Sequence, residues 1–332
     1  MLKWILSFFI LASTSGAQPE KAFVFRQDHL PTHSLFRVPE DGLRVLWWNL
    51  GCSRKLSRNA QMLANKNDFL ADHQWENLKQ FMDSPQRPDV LILGEFCPSN
   101  FDKKTLSRLN KIYPHRYKID KTNPQYDIRN GLRVFSLYPL ELLEKVDLDE
   151  NDFTNSSDLT RCQSQVKKDR PKAFQKGFWK RPLPILSVRT PDGEITLAPT
   201  HLANPWTILN VCTSAVMAGR RMIFDRENVN AAQALQLTEE LASETPLLLI
   251  GDFNTPKKFF GMRGYGYSVM EGAFGPSQIL DSQNTYIDAG TSLKSASIDH
   301  AFTQGLYVSY ARVWPLAGSD HLPIYIVVKP KH

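Results

Sequence analysis

The chain has 332 residues, of which 42% are hydrophobic and 22% are charged, and its formal net charge is +6. This ordinary globular composition excludes a low-complexity protein and supplies enough apolar residues for a sizeable core. No internal repeat or linker divides the sequence, so we assign residues 43–330 to a single domain.

The N-terminal segment has the layout of a secretory signal peptide. One early positive charge, Lys3, precedes an apolar run at Trp4–Ala12 and small residues at 15–17. We expect residues 1–17 to be cleaved and 18–42 to form an N-terminal extension; the alternative is an uncleaved N-terminal anchor. Because neither this run nor any later one is long enough to span a bilayer, the sequence predicts an exported protein, periplasmic or secreted, without a transmembrane segment.

Four cysteines bear on that prediction: Cys52, Cys97, Cys162 and Cys212. An oxidising compartment allows two disulfides in any of three connectivities. A bridge between Cys52 and Cys97 is geometrically feasible because each follows a predicted strand end by a few residues. Buried free thiols are the alternative.

A basic segment, Arg161–Arg181, concentrates positive charge. It holds eight Lys or Arg against one acid, with Phe174, Phe178 and Trp179 interleaved. Cations neutralise phosphates and aromatic rings stack on bases, so Lys176 and Trp179 are candidate substrate-binding residues for a polyanion. The alternative interpretation is a solvated insertion loop.

Apolar runs predict an alternation of strands and helical stretches. A turn sequence, Pro191-Asp192-Gly193, joins two of the strands into a hairpin. Helices are predicted at Asp72–Met82 and between Arg226 and Ser243, where apolar residues recur at helical spacing. Strands are predicted at Leu43–Trp48, Asp89–Leu93, Gly131–Leu140, Ile185–Val188, Glu194–Ala198, Pro246–Ile250, Ile298–Phe302, Leu306–Val313 and Ile324–Val328.

Polar residues follow most of these strands. Each has an ordinary interpretation when taken singly, such as a turn cap, a surface carboxylate or a buried structural histidine. Their repetition at strand ends favours one catalytic cluster instead. Its members are Asn49, Glu95, His201, Asp252, Asn254, Asp299, His300, Asp320 and His321.

The ordered motifs Trp48-Asn49, Gly94-Glu95, Thr200-His201-Leu202, Gly251-Asp252-Phe253-Asn254, Ile298-Asp299-His300 and Ser319-Asp320-His321-Leu322-Pro323 resemble those of the endonuclease/exonuclease/phosphatase superfamily, the deoxyribonuclease I-like fold. The resemblance covers roughly Leu43 to Val328. It implies a four-layer α/β sandwich, in which two packed mixed β-sheets are flanked by helices. It also implies hydrolysis of phosphate esters with a divalent metal, usually Mg²⁺.

The resemblance also implies a role for each residue. Metal binding falls to Glu95, with Asn49 and Asp320 assisting. Asp252 corresponds to the residue that orients or deprotonates the attacking water, and Asn254 to the residue that fixes the phosphate. The remaining catalytic residues are His321 at the scissile phosphate, Asp299 as its carboxylate partner in preference to His300, and His201 as the second histidine of the deoxyribonuclease and sphingomyelinase branches.

One departure from the family pattern concerns substrate binding. The family often has an Arg soon after the residue equivalent to Ser136, whereas Leu137 and Tyr138 follow it here. Arg129 and Asn130, which lie upstream, are therefore candidates for that contact. No carboxylate partner for His201 is evident from the sequence.

Elementary chemistry favours the same function. Hydrolysis of an anionic phosphodiester needs charge neutralisation, an activated water and help for the leaving oxygen. Carboxylates with an amide suit Mg²⁺, with Mn²⁺ or Ca²⁺ as alternatives, better than zinc.

The sequence therefore predicts a metal-dependent phosphodiesterase, foremost a nuclease on DNA or RNA, with no obligate protein partner. The alternatives are a sphingomyelinase or phospholipase C-like enzyme, an inositol-polyphosphate phosphatase, or a non-catalytic binding module. The lipid alternative needs an exposed apolar loop, for which Phe259-Phe260 and Gly261–Tyr267 are the candidate.

Overall fold

Two mixed β-sheets form the frame of the fold. The computed structural model describes residues 38–39, 41–51, 78–79, 81–96, 103–119, 131–148, 181–203, 229–258, 263–279, 285, 297–314, 319 and 321–331. In these ranges the strands are β1 (Leu43–Asn49), β2 (Val90–Gly94), β3 (His115–Ile119), β4 (Leu132–Ser136), β5 (Leu140–Leu148), β6 (Arg181–Thr190), β7 (Gly193–His201), β8 (Leu247–Asp252), β9 (Asp299–Gln304), β10 (Leu306–Val313) and β11 (Ile324–Pro330). The helices are α1 (Lys103–Ile112), α2 (Val229–Leu241) and α3 (Tyr265–Phe274).

Each sheet contains one parallel pair of strands among antiparallel neighbours. The first sheet has the order β10-β11-β1-β2-β4-β3, and β1 and β2 are its parallel pair. The second has the order β5-β6-β7-β8-β9, and its parallel pair is β7 and β8. The two halves of the chain exchange strands, because β5 lies in the second sheet while β10 and β11 return to the first.

The sheets pack face to face through alternating side chains. In β1, Val45 and Trp47 belong to the core between the sheets, whereas Leu46 and Trp48 face outward. Residues of β8 alternate in the same way, with Leu248 facing the first sheet. Strands that are buried on both faces read as continuous apolar runs, as the sequence of both strands does.

Helices cover the outer faces. Leu109 of α1 packs on the outer face of the first sheet, together with Leu78 and Phe81 from the end of the preceding helical stretch. Leu237 of α2 and Met270 of α3 pack on the second sheet. The layers are therefore helix, sheet, sheet and helix, which confirms the predicted four-layer α/β sandwich.

The element bounds differ from the prediction in three places. The predicted segment Gly131–Leu140 contains β4, which ends at Ser136, and the first residue of β5, Leu140, and these two strands lie in different sheets. Strand β3 and helices α1 and α3 were not predicted. The predicted apolar loop is also wrong where it is described, because Tyr265 begins α3 and Tyr267 is fully buried.

Several predictions fall outside the described residues. These are the signal peptide 1–17, most of the extension 18–42, the four cysteines, Phe259-Phe260 and the basic segment up to Lys180. Within the described part of the chain, no helix combines the length and apolar character needed to cross a membrane.

Candidate active site

The two parallel pairs end at the same place in the molecule. Asn49 is the last residue of β1 and pairs with Gly94, directly before Glu95. In the second sheet, His201 pairs with Asp252, and Asp252 pairs with Asp299 at the start of β9. The packed sheets thus bring together polar residues that are far apart in the sequence, as the prediction from strand ends required.

Asp252 lies at the centre of this group and is 1% exposed. Its Oδ2 accepts a hydrogen bond from Asn49 Nδ2 at 3.0 Å, and its Oδ1 accepts one from the Asn254 backbone N–H at 2.8 Å. The bond to Asn49 crosses from one sheet to the other. The carboxylate of Asp252 is therefore fixed by both parallel pairs.

Two imidazoles approach Asp252 from different strands. The Nε2 atom of His201 lies 3.5 Å from Asp252 Oδ2, and the Nε2 atom of His321 lies 3.8 Å from the same oxygen. His201 Nε2 is also 3.8 Å from Glu95 Oε1, so its carboxylate neighbours are Asp252 and Glu95. The sequence did not reveal these neighbours because they come from different strands.

Asp299 holds His321 in a defined orientation. The Nδ1 of His321 lies 2.8 Å from Asp299 Oδ2. The other carboxylate oxygen, Oδ1, accepts a hydrogen bond from the indole Nε1–H of Trp47 at 2.9 Å. Because Nδ1 of His321 is bound to Asp299, the imidazole directs its other nitrogen, Nε2, to the site.

His300 belongs to the opposite face of β9. It is fully buried, and its Nε2 lies 2.9 Å from the Thr255 carbonyl oxygen. Its ring packs against Phe253 and Tyr267. Alternation along β9 thus directs Asp299 to the site and His300 to the core, as expected from the resemblance.

Two residues of the site occupy left-handed backbone conformations. Glu95 has φ = 45° and Asn254 has φ = 50°. The Phe96 backbone N–H donates to the Gly131 carbonyl at 2.9 Å, and a Cβ at Gly131 would lie 2.1 Å from the Phe96 carbonyl oxygen. Only glycine permits this close approach, which supports the unusual backbone conformation of Glu95.

The Asn254 side chain is anchored as well. Its Nδ2 donates to the Leu202 carbonyl oxygen at 2.9 Å, just past the end of β7. A primary amide carries two N–H donors, so a second donor is available for a ligand in the site.

The segment that carries His321 is attached to β1. Ser319 Oγ donates to the Asn49 carbonyl at 2.7 Å and accepts from the His321 backbone N–H at 3.1 Å. The indole of Trp48 donates to the His321 carbonyl at 3.0 Å. Sequence reasoning assigned no role to Ser319, Trp47 or Trp48. Alternation along β1 was the signal available, because it places Trp47 between the two sheets.

Burial and like charge act on Asp252. Desolvation, followed by the negative charge of Asp299, raises the pKa of Asp252 from 3.8 to about 8, and Glu95 adds to the effect. Nearby carboxylates raise one another's pKa because neighbouring negative charges repel. A positive ligand would relieve this repulsion.

The donors present fit a hard divalent cation. Asp252, Asp299 and His321 offer ligand atoms within 4.8 Å of one another, so this buried group can bind a metal. Both oxygens of Asp299, however, already orient His321 and accept from Trp47. Glu95 and Asn49 of the predicted ligand set lie on the other side of Asp252, where Asn49 directs Nδ2 to Asp252 and its Oδ1 accepts from the Gly51 backbone N–H at 3.0 Å.

Seven of the predicted site residues lie at this junction: Asn49, Glu95, His201, Asp252, Asn254, Asp299 and His321. Asp320, Arg129, Asn130, Lys176 and Trp179 lie outside the described residues, so their assignments stay predictions. Next to Glu95 and His201, a cleft between the sheets is lined by Ile119, Arg181 and Thr200, among others.

Two packed mixed β-sheets with buried carboxylates and two histidines at the joined strand ends define a class of four-layer α/β sandwich proteins. The chain belongs to the Endonuclease/Exonuclease/phosphatase family, whose model matches residues 46–321. The structure confirms the fold that the motifs implied.

Solved structures agree with this family. An endonuclease/exonuclease/phosphatase from Beutenbergia cavernae is 16% identical, with a TM-score of 0.52 over 87% of this chain and 72% of the other. The catalytic domain of human Nocturnin with a bound sulfate anion is 15% identical, with a TM-score of 0.52 over 87% and 95% of the two chains. An endonuclease/exonuclease/phosphatase from Bacteroides vulgatus is 13% identical, with a TM-score of 0.53 over 87% and 99%. No curated protein matches the chain significantly in sequence.

Proposed function

We propose that the protein is an exported, metal-dependent phosphodiesterase that cleaves DNA or RNA. The observation that carries this proposal is the convergence of two imidazoles, His201 and His321, on one oxygen of the buried Asp252. An arrangement of base, acid and carboxylate around one point can activate water and protonate a leaving oxygen.

Glu95 and Asn49, with Asp320 beside them in the sequence motif, would hold Mg²⁺, for which Mn²⁺ or Ca²⁺ are alternatives. Neutralisation of phosphate charge is the chemistry that a divalent cation supplies when bound there. Glu95 suits this role because its carboxylate is largely buried and directed by the left-handed backbone.

Asp252 orients the attacking water and accepts its proton. The hydrogen bonds from Asn49 and the Asn254 backbone hold the carboxylate still, so little reorganisation is needed when charge moves onto it. The remaining amide N–H of Asn254 is placed to donate to a phosphoryl oxygen.

His321 donates a hydrogen bond or a proton to the phosphoryl group through Nε2. Asp299 favours the protonated imidazole because it accepts from Nδ1, and Trp47 fixes Asp299 in turn. His201, between Glu95 and Asp252, serves the other side of the phosphate. This pair of histidines supports diester cleavage, where an alkoxide leaving group needs a proton.

The nucleic-acid and export parts of the proposal rest on the sequence. The basic segment 161–181 suits a polyanion, and residues 1–17 have the pattern of a signal peptide. Export is tested by detecting the processed chain, shortened near Ala17, outside the producing cytoplasm. A full-length chain retained in the cytoplasm would contradict it.

The activity test uses purified protein with Mg²⁺, and separately with EDTA, on plasmid DNA, single-stranded RNA and sphingomyelin vesicles. Asp252→Asn serves as the matched inactive control, since it keeps the side-chain volume but not the carboxylate. We expect metal-dependent cleavage of nucleic acid by the unaltered chain alone. Lipid turnover without nucleic-acid cleavage would replace the nuclease proposal, and inactivity on all three would refute the diesterase assignment.

A further inference from the structure

A cluster of cations lies on the outer strand of the first sheet. Arg116 and Lys118 of β3 are exposed, and Lys118 stands directly opposite Arg133 of β4 in the strand register. Alternation places these three side chains on the helix-covered side of the sheet, because Tyr117 and Ile119 point into the core between the sheets. We call Arg116, Lys118 and Arg133 the β3 cation row.

Like charges that face each other across two strands destabilise a sheet. Lys118 and Arg133 face each other in this way, and Arg133 Nη1 is held in place by donating to the carbonyl oxygens of Ile119 at 3.3 Å and Leu132 at 3.2 Å. A binding site for an anion would account for such an arrangement, since bound negative charge turns the repulsion into attraction.

Protection of a sheet edge is the ordinary explanation for charged residues on an outer strand. The corresponding outer strand of the second sheet, β5, shows which charges protect an edge in this protein. It carries Glu141, Glu144, Lys145 and Asp147, and Arg189 of the neighbouring β6 forms an ion pair with Glu141. Edge protection in this fold is thus achieved with mixed charges, whereas β3 carries one sign.

The positive charge extends onto α1. Six Lys or Arg and no acid occur between Lys103 and Ile119, and Lys103, Lys104 and Lys111 are exposed. Arg108 pairs with Asp83. Tyr113, which follows α1, contacts Phe135, and Phe135 is the cross-strand partner of Arg116. The end of α1 therefore adjoins the β3 cation row.

The row leads to the active site. The guanidinium carbon of Arg133 lies 4.8 Å from the centroid of the Phe96 ring, and Phe96 directly follows Glu95. Strand β3 runs in the same direction as β2, so its last residue, Ile119, lines the cleft beside Glu95 and His201. The cations thus continue from the site outward along one edge of the sheet.

We propose that the β3 cation row binds the sugar–phosphate backbone of the nucleic-acid strand on one side of the scissile bond. This inference rests on the proposed function for the identity of the strand. Consecutive phosphates of the strand would contact Arg133, Lys118 and Arg116 in turn, so the enzyme would favour chains of several nucleotides over a dinucleotide.

The test measures binding without cleavage. Fluorescent single-stranded oligonucleotides of 2 to about 12 nucleotides are titrated in EDTA with the full chain carrying Asp252→Asn. To this background we add Arg116→Ala with Lys118→Ala, or the charge reversals Arg116→Glu with Lys118→Glu. The matched control is Lys329→Glu with Lys331→Glu, which changes as many charges at the end of β11 remote from Asn49.

We expect the alanine pair to weaken binding of the long oligonucleotide about tenfold and to lower the slope of log affinity against log salt by about 1.4, the value for two phosphate contacts on a single strand. Charge reversal should weaken it further, and the gain of affinity with length should shrink. The unfolding midpoint of the alanine pair should stay within a few degrees of the parent's, because Arg116 and Lys118 are exposed and surface substitutions change stability little.

Three results would overturn the inference: equal losses in the Lys329/Lys331 control, unchanged length and salt dependence in the β3 variants, or loss of binding to phosphatidylglycerol vesicles while oligonucleotide binding persists. The last would assign the row to a lipid surface. Failure of the proposed function is seen separately, as absent hydrolysis by the chain with Asp252 intact, because the binding assay needs no turnover.

Discussion

The two parallel strand pairs make the same structure and contribute different chemistry. The pair β1 and β2 ends in Asn49 and Glu95, which are oxygen donors suited to a cation. The pair β7 and β8 ends in His201 and Asp252, which can move protons. The hydrogen bond between Asn49 and Asp252 at 3.0 Å and the approach of His201 Nε2 to Glu95 Oε1 at 3.8 Å join the two pairs side chain to side chain. Under the proposed function, one sheet would bind the cation while the other would carry out proton transfer.

Asp252→Asn and Glu95→Gln test this division most strongly. If Asp252 accepts the proton of water, its amide variant should lose about 10³-fold in turnover at every Mg²⁺ concentration. Glu95→Gln should instead raise the Mg²⁺ concentration needed for half-maximal activity by about 100-fold. Mutating a residue that only hydrogen-bonds to a metal ligand already lowers metal affinity by about 10- to 100-fold, and a ligand itself should matter at least as much. Mg²⁺ titrations of activity distinguish the two. If excess Mg²⁺ restored the activity of Asp252→Asn, Asp252 would act in metal binding, and the proposed division between metal binding and proton transfer would be wrong.

Each parallel pair has a glycine near its end, Gly94 in the first and Gly251 in the second, and substituting them compares how much each pair contributes to stability. A Cβ at Gly251 would lie 1.9 Å from the Thr200 carbonyl oxygen, whereas one at Gly94 would lie 2.7 Å from the Trp47 ring. Backbone in an adjacent strand cannot move aside as a side chain can. We expect Gly251→Ala to lower the free energy of unfolding by about 3 kcal/mol, and Gly94→Ala by less.

Gly272 provides the control for these glycine variants. It lies within α3, and a Cβ there would meet nothing within 4 Å. Gly272→Ala should therefore stabilise the protein by up to about 1 kcal/mol through helix propensity. Urea unfolding of the three variants decides the order; an equal loss at all three positions would show that the strand contacts are not the cause.

Trp47→Phe addresses the link between the sheets that runs through Asp299. The substitution keeps an aromatic ring between the sheets but removes the donor to Asp299 Oδ1, so His321 should be held less firmly. We expect about a tenfold loss of turnover, the smaller end of the range for such supporting groups. Tyr113→Phe removes a comparable buried hydrogen bond, to the Pro88 carbonyl at 2.8 Å, at the other end of β2. Equal losses in both variants would mean that only stability is affected.

A pH dependence of stability should come from the proton-transfer pair. In the folded protein the pKa of Asp252 is raised from 3.8 to about 8, so between these values the folded state holds a proton that the unfolded state has lost. Stability without metal should therefore fall as pH rises through this window. Urea unfolding in EDTA at pH 5 and pH 8 measures the slope, which Asp252→Asn should reduce. A slope that is the same in both proteins would assign the pH dependence to other groups.

The sequence predicted the strands that are buried on both faces and the residues at their ends. The predicted bounds of β1 differ from the structure by one residue, and those of β2 differ by one residue at each end. Such strands read as uninterrupted apolar runs, and a polar residue at their end stands out. Seven residues of the site were found in this way, helped by the order of the family motifs.

Among the strands with an exposed face, β10 was predicted with its observed bounds, whereas β3 was not predicted and β5 was not recognised as a separate strand. Only alternate residues of β3 contact the core, and β5 carries exposed Leu142 and Leu143 next to charged residues. Neither pattern resembles a buried strand. Contacts between the sheets could not be predicted from the sequence either. Trp47 donates to Asp299 across the interface between the sheets, and no local sequence pattern indicates which residues meet there.

The exchange of strands between the two halves of the chain has a consequence for folding. One side of β1 pairs with β11, which is synthesised after every other described strand, and β6 pairs with β5. Until β11 arrives, β1 has an open edge and Asn49 lacks the Ser319 segment that binds its carbonyl. The newly made first half thus presents an unpaired apolar strand to its surroundings. The junction is completed only after the segment of Ser319 and His321 has been made, so a polypeptide that stops before it carries an incomplete candidate site.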